Sequence, residues 1–389
     1  MSFVISILIL GFIIFIHEFG HFIFAKIFNV PVREFSIGMG KRIFSVVKNN
    51  TRYSLKILPL GGSCAMIGED IAGSGDFSDI GGKIDEQNGT IDFDGVVYNL
   101  EEIKKNNFST LNPIKKVIIC FAGPMFNILI AFISAFIVLM VAGTNLPVIN
   151  TVIENSTAAT ASPYALQQGD IIKEMIVTND KESIYFDKDV VIFMSIHAND
   201  FKVNPNLGIT FERDGKSYDT LATFDLNENL DRAVLGITLG ANYRPTNIKD
   251  ILYYTINEGL FYIRLTIKSL KFLFSGKANA NDISGPVGTV AVMGAAINSA
   301  GGDIVASILT ILTLINLISS NLGIMNLLPI PALDGGRIIE SAIEMIIGRP
   351  LDEKIISAIN SVTMILLLLL MAYIFGMDII KIFSGAFKF

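Results

Sequence analysis

The heptapeptide Phe15-Ile16-His17-Glu18-Phe19-Gly20-His21 carries two of the three histidines in a chain of 389 residues. It reads H-E-x-x-H and lies inside an apolar run from about Phe3 to Phe24. Residues four apart on a helix share one face, so both imidazoles can grip one metal ion. Zinc suits that donor set, and Glu18 beside it can act as general base toward a water on the metal. The plain alternative is a chance match on a buried helix. Ionisable groups inside a hydrocarbon-spanning helix are costly and mark function where they occur, which favours the metal.

A third donor is available far along the chain. The thirty residues from Ile304 to Leu333 carry no charge, and the run ends at Asp334 in Leu333-Asp334-Gly335-Gly336-Arg337. That carboxylate is either a third zinc ligand or a helix-capping Asp before Gly. Asn316, Asn321 and Asn326 place amides in the same run, and Asn127 does so in Ala122-Gly123-Pro124-Met125-Phe126-Asn127. An amide at that depth requires a partner, which can be another helix or a ligand. Leu58-Pro59-Leu60-Gly61-Gly62 closes a Gly-rich stretch with alternation around Arg52 to Leu58, the pattern of strands joined by turns. Such a hairpin is either a surface feature or a sheet edge beside the metal on which an extended chain can pair.

The elements that must position these groups are mostly membrane spans. Hydrophobic residues make up 51% and charged residues 17% of the chain, and the mean hydropathy is +0.55, too apolar for a purely soluble enzyme. Four long apolar stretches read as transmembrane helices: about Ser2 to Phe28, Pro113 to Ala142, Ile304 onward until Pro329 and Pro331 break it, and Ile355 to Phe383. The first lacks a basic n-region and a small-x-small cleavage site, so it reads as a retained span and not a cleaved signal. Glu69 to Asn107 is a polar, acidic loop or short β insert. Val148 to Arg244 reads as a β-rich domain in which Val190 to Met194 and Leu207 to Phe211 are short apolar runs between turns. His197 has no ligand-spaced partner there. Ile248 to Phe274 is amphipathic, suited to the membrane interface or to packing on that domain, and Ile283 to Gly288 reads as a loop before a short helix. Cys64 and Cys120 imply no disulfide framework, and a net charge of −6 points away from nucleic acid.

Basic residues near the helix ends set the orientation. Lys26, Arg33, Lys41 and Arg42 follow the first span, Lys115 and Lys116 precede the second, and Arg337 and Arg349 lie between the third and fourth. All fall on one side, which is then the cytoplasm. The β-rich domain faces outward, and His21 and Asp334 share the cytoplasmic half.

Six motifs in this order resemble those of the bacterial site-2 proteases of the regulator-of-sigma-E protease type. They are H-E-F-G-H at His17 to His21, F-S-I-G-M-G at Phe35 to Gly40, L-P-L-G-G at Leu58 to Gly62, A-G-P-x-x-N at Ala122 to Asn127, I-S-G-P-V-G at Ile283 to Gly288, and N-L-L-P-I-P-A-L-D-G-G at Asn326 to Gly336. The resemblance covers nearly the whole chain. It implies an intramembrane zinc metalloprotease in which His17, His21 and Asp334 bind Zn2+ and Glu18 activates water. Asn326, Asn127 and the β loop at Gly61 and Gly62 would then contact substrate. It implies single-span transmembrane proteins as substrates, such as anti-sigma factors or remnant signal peptides, and a bacterial cytoplasmic (inner) membrane location with lipid around the spans. Leu166-Gln167-Gln168-Gly169-Asp170 resembles the L-x-x-G-D turn of PDZ domains. The chain departs from the family in having room for one such domain, in Ser63-Cys64 after the glycine pair, and in a longer stretch from Glu69 to Asn107.

The expected architecture is a polytopic α-helical membrane protein of about four transmembrane helices, with a membrane-associated β hairpin and one β-rich PDZ-like extracytoplasmic domain. Its segments are span 1 (1–30), the β region (31–68), a cytoplasmic insert (69–112), span 2 (113–143) and the PDZ-like domain (148–244). An amphipathic helix and linker (245–302), span 3 with the LDG motif (303–336), a cytoplasmic loop (337–353) and span 4 (354–389) follow. The rival function is a membrane PDZ scaffold with a structural metal site. A structural zinc site normally has four protein ligands, and only three are in evidence here.

Overall fold

The computed structural model describes residues 2–69, 82–85, 87–178, 180–224, 234–275 and 285–383. Parts of the polar insert, of the β-rich domain and of the Ile283–Gly288 motif fall outside these residues. The chain divides into two compact units, Met1–Ala135 with Tyr262–Phe389, and Phe136–Phe261.

In the first unit, helix α1 (Ser2–Ile27) is the hub. Its 26 residues rise about 39 Å, enough to cross a hydrocarbon core of about 30 Å. α3 (Pro113–Ala142), α7 (Ile304–Asn326) and α9 (Glu353–Phe383) are likewise long and apolar enough to cross a membrane. The shorter α6 (Pro286–Ser299) packs Met293 and Ile297 against Ile9 and Ile13 of α1 and Leu314 and Ile315 of α7. On its other side α1 meets Ile119 and Cys120 of α3, together with Phe35, Cys64 and Met66 of a β hairpin.

That hairpin is two long antiparallel strands, β1 (Val32–Lys48) and β2 (Thr51–Met66). Each bends back on itself. Glu34 to Ile37 pair on one side with residues 62–65 and on the other with residues 52–55, and residues 45–48 then cover residues 51–54. The two strands therefore build four rows, with 62–66 at one edge. Gly38 and Gly40 lie at the bend of β1 with φ of 85° and 87°, a region that favours glycine. Glu34 is buried inside the hairpin. Burial pushes its carboxyl up, but hydrogen bonds from Arg42 and Ser54 and the charges of Lys56 and Arg42 outweigh this and hold it below the usual range. The stretch after the hairpin contains a small sheet, β3 (Lys83–Asp85), β4 (Thr90–Phe93) and β5 (Val96–Asn99), and helix α2 (Leu100–Asn106). Tyr98 donates to the Val32 carbonyl at 2.9 Å and ties this sheet to the hairpin.

The second unit is an antiparallel sheet. It contains β6 (Thr144–Val152), β7 (Ile171–Val177), β8 (Asp180–Ser183), β9 (Asn206–Arg213), β10 (Lys216–Thr223) and β11 (Ile237–Tyr243), in the order β10-β9-β7-β6-β11 with β8 on β7. Its core holds Ile149, Ile172, Met175, Phe193, Phe201, Leu207, Ile209 and Phe211. Helix α5 (Ile248–Phe274) begins in this unit, and its Tyr254 and Phe261 rings lie against Phe186.

Three sequence expectations need correction. Val190 to Met194 lies in helix α4 (Asp187–Ile196), not in a strand. Asp189 accepts from the Tyr185 and Phe186 amides and sets the helix start, while Val190 and Phe193 are buried and Val191 is exposed, a helical and not an alternating pattern. Residues 337–353 are not a loop for most of their length, because helix α8 (Asp334–Ile347) occupies them. Its Arg337, Ser341 and Glu344 turn inward and its Ile339, Ile343 and Ile346 outward. Pro286, Val287 and Gly288 form the first turn of α6 and not a loop, with Pro at the position where its missing N–H costs nothing.

That first turn is held from α9. Asp378 is fully buried, and its two oxygens accept from the Gly285 and Gly288 amides at 3.0 and 2.8 Å. Asp378→Ala removes two charge-assisted bonds at a helix N-terminus, each worth about 1.5–3 kcal/mol. It should lower the unfolding temperature in detergent, with Asp378→Asn intermediate. An unchanged melting curve for Asp378→Ala would discount the clasp.

Candidate metal centre

His17 and His21 stand one turn apart on the buried face of α1, and Asp334 is the first residue of α8. The Nε2 atoms of the histidines are 3.2 Å apart. Asp334 Oδ2 lies 3.1 Å from His17 Nε2, and Oδ1 lies 3.4 Å from His21 Nε2. Donor atoms of the three side chains all fall within 4.8 Å of one another. The carboxylate of Asp334 does not cap its own helix, whose capping residue is Leu333. It turns to the histidines instead.

Close backbone approach makes this meeting possible. A Cβ on Gly123 of α3 would fall 2.2 Å from His21 Nε2, so only glycine leaves room for that ring. A Cβ on Gly335 would fall 2.2 Å from the Leu328 carbonyl, so only glycine lets the turn after α7 fold down on α8. The Ala332 amide donates to Asn360 of α9 at 3.1 Å, which pins the same turn.

The outer nitrogens of the imidazoles are also held. His21 Nδ1 lies 2.8 Å from the Ile119 carbonyl, which makes Nδ1 the protonated nitrogen and leaves Nε2 free as a ligand. His17 Nδ1 lies 3.3 Å from the amide nitrogen of Asn127, whose Oδ1 is buried without a hydrogen-bond partner. The two amide atoms of an Asn are interchangeable in such assignments. Exchanging them lets Asn127 Oδ1 accept a hydrogen bond from His17 Nδ1. Both Nε2 atoms then point unprotonated at the Asp334 carboxylate, an arrangement that a shared cation satisfies. Two neutral imidazoles and one carboxylate suit zinc with a position left open.

Asn326, the last residue of α7, also reaches this place, with Nδ2 3.2 Å from His17 Nε2. Glu18 lines a cavity of about 130 Å³ together with His17, His21, Gly62, Asn326 and Asp334. A Cβ on Gly62 would come 3.0 Å from the Glu18 side chain. Gly61 lies beside Met39 and is absent from the cavity lining. The 62–66 edge has β1 on one side and no described strand on the other.

Two charged residues of the cavity lining escape the sequence reading. Arg337 served there only as a marker of orientation and Glu69 only as the start of an acidic stretch, yet both line the cavity and pair with each other. For Arg337 a signal existed, because it follows Asp334 by three residues and so shares its face of a helix.

Known proteins resemble this chain along its whole length. The model of peptidase family M50 matches residues 5–370. A "Putative zinc metalloprotease" of Fusobacterium nucleatum is 31% identical over 99% of this chain and 100% of its own length. One of the same description from Clostridium acetobutylicum is 30% identical over 97% of each. The "Zinc metalloprotease RasP" of Shouchella clausii is 28% identical over 97% of this chain and 98% of its own.

If the three side chains hold the metal, the purified chain contains about one zinc, as a three-ligand site with an open position would. His17→Ala, His21→Ala and Asp334→Ala should each strip it, and Asn127→Ala should weaken zinc affinity about 10- to 100-fold through the lost support of His17. Elemental analysis and chelator competition measure both. Full zinc in Asp334→Ala would remove Asp334 from the ligand set.

Proposed function

Since the chain belongs to peptidase family M50 and is a zinc metalloendopeptidase, we propose that it cleaves peptide bonds within the transmembrane segments of single-span membrane proteins. The observation that carries this reading is the convergence of His17, Glu18, His21 and Asp334 beside a strand edge that has no partner beyond β1 among the described residues, on helices long and apolar enough to cross a membrane.

In this reading His17 and His21 offer Nε2 and Asp334 its carboxylate to zinc. Zinc held there would supply Lewis acidity toward the scissile carbonyl and toward water, whose pKa it can bring to about 7. Glu18 takes the proton from that water and passes it to the leaving amine. A helical segment hides its carbonyls in its own hydrogen bonds, so it must unwind before it can react. The 62–66 edge offers the unwound segment backbone partners. Asn326 binds a backbone group of the substrate, which otherwise lacks a partner inside a membrane at a cost of several kcal/mol. Asn127 acts behind His17. Gly62 keeps the edge close to Glu18, and Gly61 serves the turn leading into it.

The membrane is the bacterial cytoplasmic membrane. Outward-facing apolar side chains at Ile339, Ile343 and Ile346 of α8, and at Ile43, Phe44, Val46 and Val47 of the hairpin, suit contact with lipid. The second unit is a PDZ-like domain on the outer side, supported by its L-x-x-G-D turn, in which Gly169 has φ 92° and Arg213 clasps Asp170 at 2.7 Å. Substrates are anti-sigma factors, remnant signal peptides or similar single spans. Nucleic acid has no part.

Glu18→Gln should keep zinc and lose cleavage of a reconstituted transmembrane substrate by about 10²-fold or more, the usual weight of a general base. Wild-type turnover in Glu18→Gln would sink the mechanism. The orientation is tested separately: an impermeant thiol reagent applied outside should label a cysteine at Asn199 and spare one at Asn50. The opposite labelling would invert the protein in its membrane.

A further inference from the structure

One pair in the cavity wall has no part in the proposed chemistry. Arg337 lies in the first turn of α8, three residues after Asp334, and its guanidinium bonds Glu69 Oε1. The other oxygen of Glu69 accepts from the Met66 amide at 3.1 Å. One carboxylate thus joins the end of the 62–66 edge to the helix that presents Asp334. Both side chains are more than nine-tenths buried. The Arg337 guanidinium also lies 5.9 Å from the centre of the Phe108 ring, and Phe108 donates its amide to Ile67 at 2.8 Å. Glu69 and Arg337 line both the metal cavity and a larger cavity of about 420 Å³ that is also lined by Lys116, Glu340 and Glu344.

Stability alone is a poor reason for such a pair. Burying two charges costs several kcal/mol each, and well-packed apolar residues in the same place are often as stable or more so. Geometry is a better reason. A guanidinium bound to a carboxylate fixes direction as well as distance, which an apolar contact does not. The two parts that it joins are those whose mutual placement decides which bond of a strand lying on the edge reaches the metal.

We propose that the Glu69–Arg337 pair is a positioning clamp, holding the 62–66 edge in register with Asp334 so that one bond of a paired substrate is presented for cleavage. The clamp rests on the protease reading above. A substrate displaced by about 1 Å reacts about 10²-fold more slowly, so loosening the clamp should be visible in both rate and site of cleavage.

The test uses the full chain reconstituted with a transmembrane-segment substrate. It compares wild type, Glu69→Gln, Arg337→Gln, Arg337→Lys and the double Glu69→Gln/Arg337→Gln, which leaves no unpaired buried charge. For each, kcat and KM, the bonds cut (by mass spectrometry), zinc content and melting temperature are measured. The single Gln variants and the double variant should lose about 10²-fold in kcat/KM, with KM raised, and should cut at neighbouring bonds as well. Zinc content should stay at the wild-type level, and the double variant should melt like wild type. Arg337→Lys keeps the charge but not the directed fork, so it should recover only part of the turnover and still cut at neighbouring bonds. If the double variant cuts only the wild-type bond at the wild-type rate, the clamp is wrong while the protease reading stands. If activity falls only in step with zinc or folding, the pair is structural and the clamp is also wrong. Failure of wild type to cut any membrane-segment substrate removes the protease reading, and the clamp with it.

Discussion

The structure depends on bringing two imidazoles and a carboxylate together inside an apolar bundle. His17, His21 and Asp334 are too polar to be left unpartnered there, and helix packing is arranged around their meeting. α1 supplies the histidines and meets α3, α6, α7 and the hairpin. α3 comes close enough through Gly123 for a ring to lie flat on its backbone, and its Ile119 carbonyl and Asn127 amide fix both rings from behind. α7 ends at Asn326 beside the same rings, and the turn after it delivers Asp334.

Other buried charges follow the same rule. Lys116 pairs with Glu344 at 2.8 Å, Arg337 with Glu69, and Asp378 with the amides of a helix start. Each joins segments remote in sequence. The outer faces of the same helices are apolar, as for Ile339 and Ile346 on α8, whose partner-bearing face is polar and turned inward. This is the reverse of a water-facing helix and fits an element whose outer neighbour is lipid.

The hairpin solves a different problem. A flat pair of strands this long would leave two open edges, which are liabilities in any protein. Bending both strands back turns two strands into four rows and buries Glu34 with its partners in the interior. It leaves the 62–66 edge with no described strand beyond β1, and Gly62, Cys64 and Met66 of that edge line the cavity that holds His17, His21 and Asp334.

Much of this was legible in the amino-acid order, because local patterns carry it. Four apolar runs foretold four helices long enough to cross a membrane, since a bilayer sets a minimum length that periodicity and composition reveal. His17 and His21 announced a shared face because a spacing of four is a helical turn. The alternation before Gly61 foretold strands. Local pattern failed where packing overrode it: Val190 to Met194 looks like a strand but is helical because Asp189 captures the amides before it. α8 is a different case, since Ile339, Ile343 and Ile346 recur at helical spacing and that helix is legible in the sequence itself. Only the tertiary structure decided that Asp334 turns to His17 across more than three hundred residues of chain, that Asn127 stands behind the same ring, and that Glu69 and Arg337 meet in the cavity wall. Each joins segments remote in the chain, and no spacing rule reaches across such distances. The backbone must first fold and exclude water before one buried charge can select its partner.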